Sequence, residues 1–229
     1  MTEKLYYYPE IFNVRNEQDA RAIILTNEGP GADTETRWAQ ETPYITDLLK
    51  THLTPGPDDL ILDYGCGIGR LAKELIQHCG CHVIGVDISP EMRRLSLDYV
   101  DSARFTAVSP EILDSMLASG LRVDGAFCIW VLQHCYAPDR DIAKMKTALR
   151  GTAKFFVINM SQRAIPVRRE TGQDDAGSNW AGWRSDNINI RDLLAANFTV
   201  TSEGDIDTET IPNSADAGAY WMSLAQPPG

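Results

Sequence analysis

The chain has 229 residues, of which 43% are hydrophobic and 23% are charged, and its formal net charge is −11. This composition is typical of a globular protein with one substantial core and excludes a largely disordered chain. The acidic balance disfavours nucleic acid as a partner, because nucleic-acid binding draws most of its affinity from lysine and arginine side chains.

Nothing in the chain predicts a membrane segment or a secretory leader. No run of 18 apolar residues occurs, and the first four residues, Met-Thr-Glu-Lys, lack the layout of a signal peptide. We therefore expect a cytoplasmic protein with no membrane partner. The cysteines are odd in number and lack Cys-x-x-Cys spacing, which favours free thiols and no metal site. They are Cys66, Cys79, Cys81, Cys128 and Cys135.

The first 58 residues precede the first predicted core strand. Residues 20–25 fit either a short helix or a strand. Thr42 followed by Pro43 is typical of a helix cap and a first helical residue, and apolar residues at helical spacing follow. We expect this helix to end at the proline- and glycine-rich residues 54–57.

An apolar strand followed by glycines at alternate positions is the most informative pattern in the chain. The strand ends near Asp63, and Gly65, Gly67 and Gly69 precede a stretch with helical spacing. Glycine allows positive φ and a close approach of the backbone to a ligand, and the following helix N-terminus points at that ligand. The sequence predicts a ligand-binding strand–turn–helix, with a purely geometric role for the glycines as the alternative.

A second apolar run, residues 82–86, ends in Asp87. This acid follows the glycines by about 20 residues, the separation at which a βαβ unit brings an acid to a ribose. In a dinucleotide-binding fingerprint two residues separate the last two glycines, whereas Gly67 and Gly69 are separated by one. The spacing therefore favours a nucleotide-type ligand and disfavours a dehydrogenase.

Two repeated signals predict further strand-to-helix crossings. Residues 89–91 and 109–111 each combine a capping serine, a proline and an acid. The helix between the fourth and fifth strands is expected to end at Gly151. The remaining predicted strands are residues 103–108, 123–130, 154–159, 198–202 and 218–225.

Residues 160–187 interrupt this alternation with a polar, glycine-containing insertion that carries Trp180 and Trp183. A loop of this length is either functional or disordered, and the tryptophans favour a substrate lid. Arg163 and its neighbours Arg168 and Arg169 favour an anionic group on the substrate. The alternative is that these arginines balance an acidic surface.

Ligands of open α/β sheets bind at the carboxyl ends of the strands, so residues 130–136 should face the site. His134 is the candidate general base of this stretch, because the ordinary pKa of histidine suits proton transfer near neutral pH. The alternatives are orientation of the substrate and plain packing beside the site.

The segment Leu62-Asp-Tyr-Gly-Cys-Gly-Ile-Gly69, together with Asp87, resembles the first two motifs of the class I S-adenosylmethionine (SAM)-dependent methyltransferases. The resemblance extends over about residues 58–160. It implies a Rossmann-like, doubly wound α/β fold with a mostly parallel seven-stranded sheet, an antiparallel final strand and an N-terminal helical lid. It also implies a lid segment, residues 1–58, and a SAM-binding domain, residues 59–229.

The same resemblance implies residue roles toward SAM as the cofactor. The glycines would admit its methionine and ribose parts, Asp63 would orient the turn or the amine, and Asp87 would accept from the ribose hydroxyls. Ile88 would cover the adenine, and Arg70 would pair with the carboxylate.

In the same family the N-terminal segment contributes to the substrate site, which adds Trp38, Glu41 and Tyr44 to the candidates from the strand ends and the insertion. Candidates for catalysis are His134, Trp130 and Glu41. Candidates for substrate binding are Trp38, Tyr44, Tyr136, Asn159, Arg163, Trp180 and Trp183. For Trp38 and Tyr44 a core role is equally expected.

The resemblance implies methyl transfer by in-line displacement to a small-molecule acceptor, either amino-acid-like or a specialised metabolite. Residues 67–70 and 130–134 also resemble protein α-amine methyltransferases, which supplies a peptide acceptor as the alternative. A SAM-binding module that no longer methylates is a third reading. The oligomeric state, a homodimer included, stays open.

Overall fold

A computed structural model describes residues 9–27, 29, 31–168, 180–211 and 218–227 of the chain. Its strands are β1 (Leu60–Tyr64), β2 (His82–Val86), β3 (Phe105–Val108), β4 (Val123–Ile129), β5 (Leu149–Met160), β6 (Ile165–Arg168), β7 (Trp180–Arg184), β8 (Thr199–Asp205) and β9 (Ala219–Ala225). Its helices are α1 (Glu17–Ile24), α2 (Thr34–Leu53), α3 (Arg70–Cys79), α4 (Pro90–Val100), α5 (Pro110–Ala118), α6 (Pro138–Ala148) and α7 (Ile190–Asn197). Short 3₁₀ helices form at Pro9–Phe12 and Leu132–His134.

The centre of the fold is a seven-stranded sheet in the order β3-β2-β1-β4-β5-β9-β8. The pairs among β1 to β5 are parallel, and β9 runs antiparallel to both β5 and β8. The strands β1 and β2 are each buried over four consecutive residues, as expected for parallel strands covered on both faces. The predicted doubly wound sheet with an antiparallel final strand is confirmed.

Helices cover the two faces of the sheet. On one face, α5, α6 and α7 contribute to a core cluster that includes Phe155 and Tyr220. On the other face, α2, α3 and α4 contribute to a second cluster around Phe127 and Phe156. A third, smaller cluster joins α1 to the glycine turn through Ile68. None of the helices in the described ranges is long and apolar enough to cross a membrane.

The helix predicted to have Thr42 as its cap and Pro43 as its first residue begins nine residues earlier, at Thr34. Asp33 caps α2 by accepting hydrogen bonds from the amides of Glu35 and Thr36, at 3.1 Å each. The Thr42 hydroxyl donates to the Trp38 carbonyl in the preceding turn, 2.5 Å away, so Thr42 lies within the helix and is not its cap. Pro43 therefore lies inside the helix, on its exposed side, and the predicted start is wrong.

Two other local predictions are decided by the structure. Residues 20–25, which fitted a helix or a strand, belong mainly to α1, capped by the Asn16 side chain. Helix α6 ends at Ala148, and Gly151 lies inside β5, so the predicted stop at Gly151 is wrong. Leu149 turns directly into the strand and pairs with Val123.

A hydrogen bond between Tyr64 and Asp141 joins the sheet to α6. The Tyr64 hydroxyl lies 2.5 Å from the Asp141 carboxylate, and both residues are buried. Replacing Tyr64 with phenylalanine removes a donor from a buried acceptor, so Tyr64→Phe should lower the free energy of unfolding by about 1–3 kcal/mol. Urea denaturation measures this value.

The matched control is Tyr44→Phe, because the Tyr44 hydroxyl only accepts from the exposed Asp207 amide, 3.2 Å away. The loss there should be clearly smaller. Equal losses for the two variants would contradict the assignment of a stabilising role to the buried pair.

Candidate active site

One cavity of about 860 Å³ opens at the carboxyl ends of β1, β2, β4 and β5. Its floor is the turn after β1, and its walls come from the N-terminal segment, the turn after β4 and the β6–β7 pair. Most lining side chains are apolar. The ionisable lining residues are Arg37, Asp63, Cys66, Tyr64, Arg70, Asp87, His134, Cys135 and Tyr136.

The glycine turn has the backbone that its sequence predicted. Gly65, Gly67 and Gly69 have φ of +85°, +54° and +78°. A Cβ at position 65 would lie 2.2 Å from a Val131 methyl carbon, and one at position 67 would lie 2.8 Å from the Ile24 Cδ1. The space above these glycines is therefore filled by side chains of the same chain, and larger residues would displace them.

Asp87 ties this turn to the end of β2. Its carboxylate accepts from the amides of Gly67 and Ser89, each at 2.9 Å, and its carbonyl accepts from Arg93. The side chain remains half-buried and lines the cavity. Burial raises the pKa of Asp87 against the opposing effect of the two amides.

Asp63 lies next to this turn at the end of β1. It is 4% exposed, lines the cavity and accepts no hydrogen bond from any side chain or amide in the described ranges. Burial, and then the charge of Asp87, raise the pKa of Asp63 well above its usual value, while Arg70 opposes them. A buried carboxylate that accepts no hydrogen bond from these residues favours a cationic ligand.

Arg70 begins α3 and lines the same end of the cavity. Its guanidinium donates to the Thr42 hydroxyl at 3.3 Å and lies 5.2 Å from the Trp38 ring centroid. Burial lowers the pKa of Arg70 to about 10, although Glu41 raises it, so Arg70 stays charged at neutral pH. Arg37, another lining residue, forms an ion pair of 2.6 Å with Glu41.

These residues fit SAM, which carries two positive groups and one carboxylate. Asp63 offers an unsatisfied carboxylate to a cation, and Arg70 offers a buried cation to a carboxylate. Asp87 presents an acceptor to the cavity from the end of β2, where a ribose binds in folds of this type.

The other end of the cavity is built on the turn after β4. Trp130 has φ of +62°, which is rare for a bulky residue, and its amide donates to the Ile158 carbonyl. Its buried indole nitrogen has no hydrogen-bond partner in the described part of the chain. Strained residues of this kind cluster at functional sites.

His134 follows in the 3₁₀ turn Leu132–His134. Its Nδ1 lies 2.7 Å from the Ala164 carbonyl, so Nδ1 carries the proton and donates it. Its Nε2 is then the acceptor, with the Gln133 amide nitrogen 3.4 Å away. Burial, with a smaller effect from Arg163, lowers the pKa of His134 below its usual 6.5. The imidazole is therefore neutral at pH 7 and can accept a hydrogen bond or a proton.

The segment before and within β6 is bound to this turn by several hydrogen bonds. Arg163 donates to the Leu132 carbonyl and forms a two-contact ion pair with Asp186, 3.2 Å at each contact. The Ala164 amide donates to the Gln133 carbonyl. The Tyr136 hydroxyl donates to the Pro166 carbonyl at 2.5 Å. The β6–β7 pair is thereby held over the cavity.

Most predicted site residues meet at this cavity, although their roles stay predictions. The ones that line it are Asp63, Gly65, Gly67, Arg70, Asp87, Ile88, Trp130, His134, Tyr136 and Trp183. Gly69 serves as the N-cap of α3. Residues 169–179 and the side chain of Trp180 lie outside the part of the chain that the structure describes.

Five other candidates lie off the cavity walls. Glu41 is fully buried in its ion pair with Arg37, and Trp38 packs against Tyr99. The Tyr44 hydroxyl accepts a hydrogen bond from the Asp207 backbone amide, and the Asn159 side chain accepts one from the Gln133 backbone amide. Arg163 is held by Asp186. None of the five lines the cavity as Trp130 and His134 do, although Asn159 and Arg163 are hydrogen-bonded to the turn that carries His134.

Several lining residues were not named as candidates, and four of them show what the sequence could and could not reveal. Arg37 could have been found as the partner of Glu41 one helical turn away. Gln133 lies inside the stretch 130–136 that was expected to face the site. Phe12 and Ile24 gave no signal beyond hydrophobicity, because only the tertiary fold brings the N-terminal segment to the cavity.

Comparisons with known proteins agree with this geometry. Residues 61–152 match the family model of a methyltransferase domain. The chain is similar to a geranyl diphosphate methyltransferase in complex with SAM, with a TM-score of 0.62 and 16% identity over 98% of this chain and 100% of that chain. No curated protein matches the chain.

Two further solved structures share the fold. The geranyl diphosphate C-methyltransferase from Streptomyces coelicolor A3(2), in complex with Mg²⁺, geranyl diphosphate and S-adenosyl-L-homocysteine, has a TM-score of 0.61 and 14% identity over 98% of this chain and 95% of that one. The cyclase SpnF has a TM-score of 0.60 and 17% identity over 94% and 98%. Residues 61–152 thus match a methyltransferase domain, and solved structures that share the fold of the whole chain were determined with SAM or S-adenosyl-L-homocysteine bound.

The raised pKa values of Asp63 and Asp87 predict that SAM binding is linked to protons. A cation bound beside these carboxyl groups favours their ionised forms, so binding at mildly acidic pH should release protons. SAM affinity should rise with pH above the usual aspartate range and then level off. Calorimetry in two buffers of different ionisation enthalpy measures the protons released.

The variant Asp63→Asn should weaken SAM binding about tenfold, the size of a charged hydrogen bond, and reduce the proton release. The control is Asp98→Asn, which removes an equal charge from an exposed position on α4. Unchanged proton release in Asp63→Asn would contradict the placement of a positive group at this carboxylate.

The ion pair of Arg163 predicts a second, independent effect. Arg163→Met removes the guanidinium from the Leu132 carbonyl and from Asp186, which keep the weaker bonds from the amides of Cys135 and Ile188, so the free energy of unfolding should fall by about 1–3 kcal/mol. The Ala164 amide, which donates to the 3₁₀ turn, should exchange its hydrogen faster. Hydrogen exchange and urea denaturation measure the two effects.

Arg191→Met is the matched control, since Arg191 pairs with Glu203 at the surface, where such pairs contribute at most about 1 kcal/mol. If Arg163→Met left exchange at Ala164 unchanged, Arg163 would not be what holds β6 to the turn.

Proposed function

We propose that this chain is a SAM-dependent methyltransferase and that it transfers the methyl group to a small, largely apolar acceptor bound between His134 and the β6–β7 pair. The observation that carries the proposal is the continuity of one cavity. It runs from the charged end at Asp63 and Arg70 to an apolar end at His134 and Trp183.

At the charged end the chain binds and orients the cofactor. SAM supplies an activated methyl group on a sulfonium. Asp63 would hold a positive group of SAM, Arg70 its carboxylate, and Asp87 its ribose hydroxyls. Holding two reactants in line is worth about 7–11 kcal/mol of the barrier when the geometry is good.

Most side chains that line the acceptor end are apolar. They are Ile11, Phe12, Ile129, Met160, Pro166, Trp183, Ile211 and Ala219, and the polar ones beside them are Gln133, His134 and Tyr136. Arg163, which was expected to meet an anionic group, is buried in its ion pair with Asp186. This lining supports an apolar acceptor, since an unpaired charge is costly to bury there.

His134 supports an acceptor that loses a proton. Its Nδ1–H is committed to the Ala164 carbonyl, which leaves Nε2 as the acceptor atom. The proton of a hydroxyl or amine would pass to Nε2 while the oxygen or nitrogen attacks the methyl carbon, and then to solvent. General base catalysis of this type contributes about 10²–10⁴ in rate.

A peptide amine is the second candidate, because Trp130 and His134 line the same cavity, as their short motif suggested. The apolar acceptor end favours the small molecule, since a basic peptide would need acidic side chains there. A module that binds SAM without methylating would show cofactor binding and no transfer.

Methyl transfer from labelled SAM tests the proposal. Small apolar compounds with a hydroxyl or amine should take up the label, and peptides with free N-termini should not. His134→Gln should lower kcat by about 10²–10⁴ and leave the SAM Kd within about twofold. The wild-type rate should fall as pH drops through a His134 pKa below 6.5, because the protonated imidazole accepts no proton.

The control His78→Gln changes an exposed histidine on α3 and should leave rates and pH profile unaltered. Transfer to peptides alone, or an acidic limb that persists in His134→Gln, would overturn the proposed acceptor class or the proposed base. SAM binding without transfer to any acceptor would favour the non-methylating module.

A further inference from the structure

Aromatic rings surround His134 at the acceptor end of the cavity. The Trp183 ring centroid lies 5.0 Å from that of the imidazole, at an interplanar angle of 40°. The centroid of the Phe12 ring lies 6.3 Å from that of the imidazole, in an edge-to-face arrangement with an interplanar angle of 64°. The two residues come from distant parts of the chain, the N-terminal 3₁₀ helix and β7, so the fold gathers these rings at one point.

The same wall presents further ring surface. Tyr136 lines the cavity, and its hydroxyl donates to the Pro166 carbonyl, so its ring is what it offers to a ligand. Trp183 is 48% exposed although it lines the cavity, which leaves a large part of the indole open. Indole and phenyl faces bind other rings by offset or edge-to-face contact.

The polar groups at this end are few and neutral. The Nε2 of His134 is an acceptor, and the Gln133 amide lies beside it. Arg163, whose charge acts on His134, is paired with Asp186 and lies outside the cavity lining. An acceptor that enters with a charge would therefore lose its hydration without a compensating partner among these residues.

We infer that the acceptor is a planar aromatic hydroxyl compound, whose ring contacts Trp183 and Phe12 and whose hydroxyl donates to His134 Nε2. This inference rests on the proposed function and names its substrate class. A phenol, with a pKa of about 10, enters the cavity neutral at pH 7, whereas an alkylamine, with a pKa of about 10.4, enters as an ammonium ion.

The transfer step balances with the groups at hand. The phenolic proton moves to His134 Nε2, and the oxygen lone pair forms the new bond to the methyl carbon. The carbon–sulfur bond breaks with its electron pair on sulfur, which becomes a neutral thioether. His134 then gives the proton to solvent. No oxidant, reductant or metal is required.

Calorimetry on the protein saturated with S-adenosyl-L-homocysteine tests ring recognition without turnover. The matched probes are 2-naphthol, its saturated counterpart decahydro-2-naphthol, and 2-naphthylmethylamine, with phenol and cyclohexanol as the one-ring pair. We expect each aromatic alcohol to bind at least tenfold more tightly than its saturated counterpart, and 2-naphthol to bind at least tenfold more tightly than the amine. Incubation with labelled SAM should place the methyl group on the naphthol oxygen.

Two variants test the rings. Trp183→Leu and Phe12→Leu should each weaken 2-naphthol binding at least threefold while S-adenosyl-L-homocysteine binding stays unchanged. The control is Trp221→Leu, which removes a tryptophan that packs on Phe156 away from the cavity. Thermal unfolding of each variant confirms that it is folded.

Equal affinity for aromatic and saturated alcohols would overturn the inference. It would also be overturned if the protein bound S-adenosyl-L-homocysteine but bound neither 2-naphthol nor phenol. Methylation of saturated alcohols or amines alone would overturn it and leave the proposed function intact. Failure of the protein to bind SAM or its product would instead overturn the proposed function itself.

Discussion

The hydrogen bond from the Gly67 amide to the Asp87 carboxylate is the contact on which the site depends. It joins the turn after β1 to the end of β2, where the Val86 carbonyl accepts two more amides of the same turn. The bond fixes where α3 begins, and Arg70, the first residue of α3, is thereby brought to the same cavity as Asp63. The contacts between this turn and the end of β2 thus align groups from three elements.

The cavity divides its electrostatics between two ends. Buried carboxylates and guanidinium groups occupy one end, where low polarity raises the pKa of Asp63 and lowers that of Arg70. A ligand with matching charges recovers the hydration that these groups lost on folding. The other end holds a neutral imidazole among apolar and aromatic side chains. The charged end suits a charged cofactor, and the uncharged end suits an uncharged acceptor.

The sequence predicted what depends on local pattern. The glycine turn, Asp87 and the stretch around His134 were found because parallel strands bring their carboxyl ends together. Residues whose position depends on the phase of a helix were not predicted correctly. Glu41 was placed at the site, but α2 starts at Thr34 and turns it toward Arg37. The partner of Arg163 is Asp186, across an insertion, and no spacing rule connects the two.

The N-terminal segment contacts both ends of the cavity. Ile24 packs over Gly67 at the cofactor turn, while Phe12 meets His134 at the acceptor end. A compound that orders this segment at one end prepares the binding surface at the other. By thermodynamic linkage, the two compounds then raise each other's affinity by the same factor. Two ligands bound at the two ends would then be mutual effectors through a wall that they share.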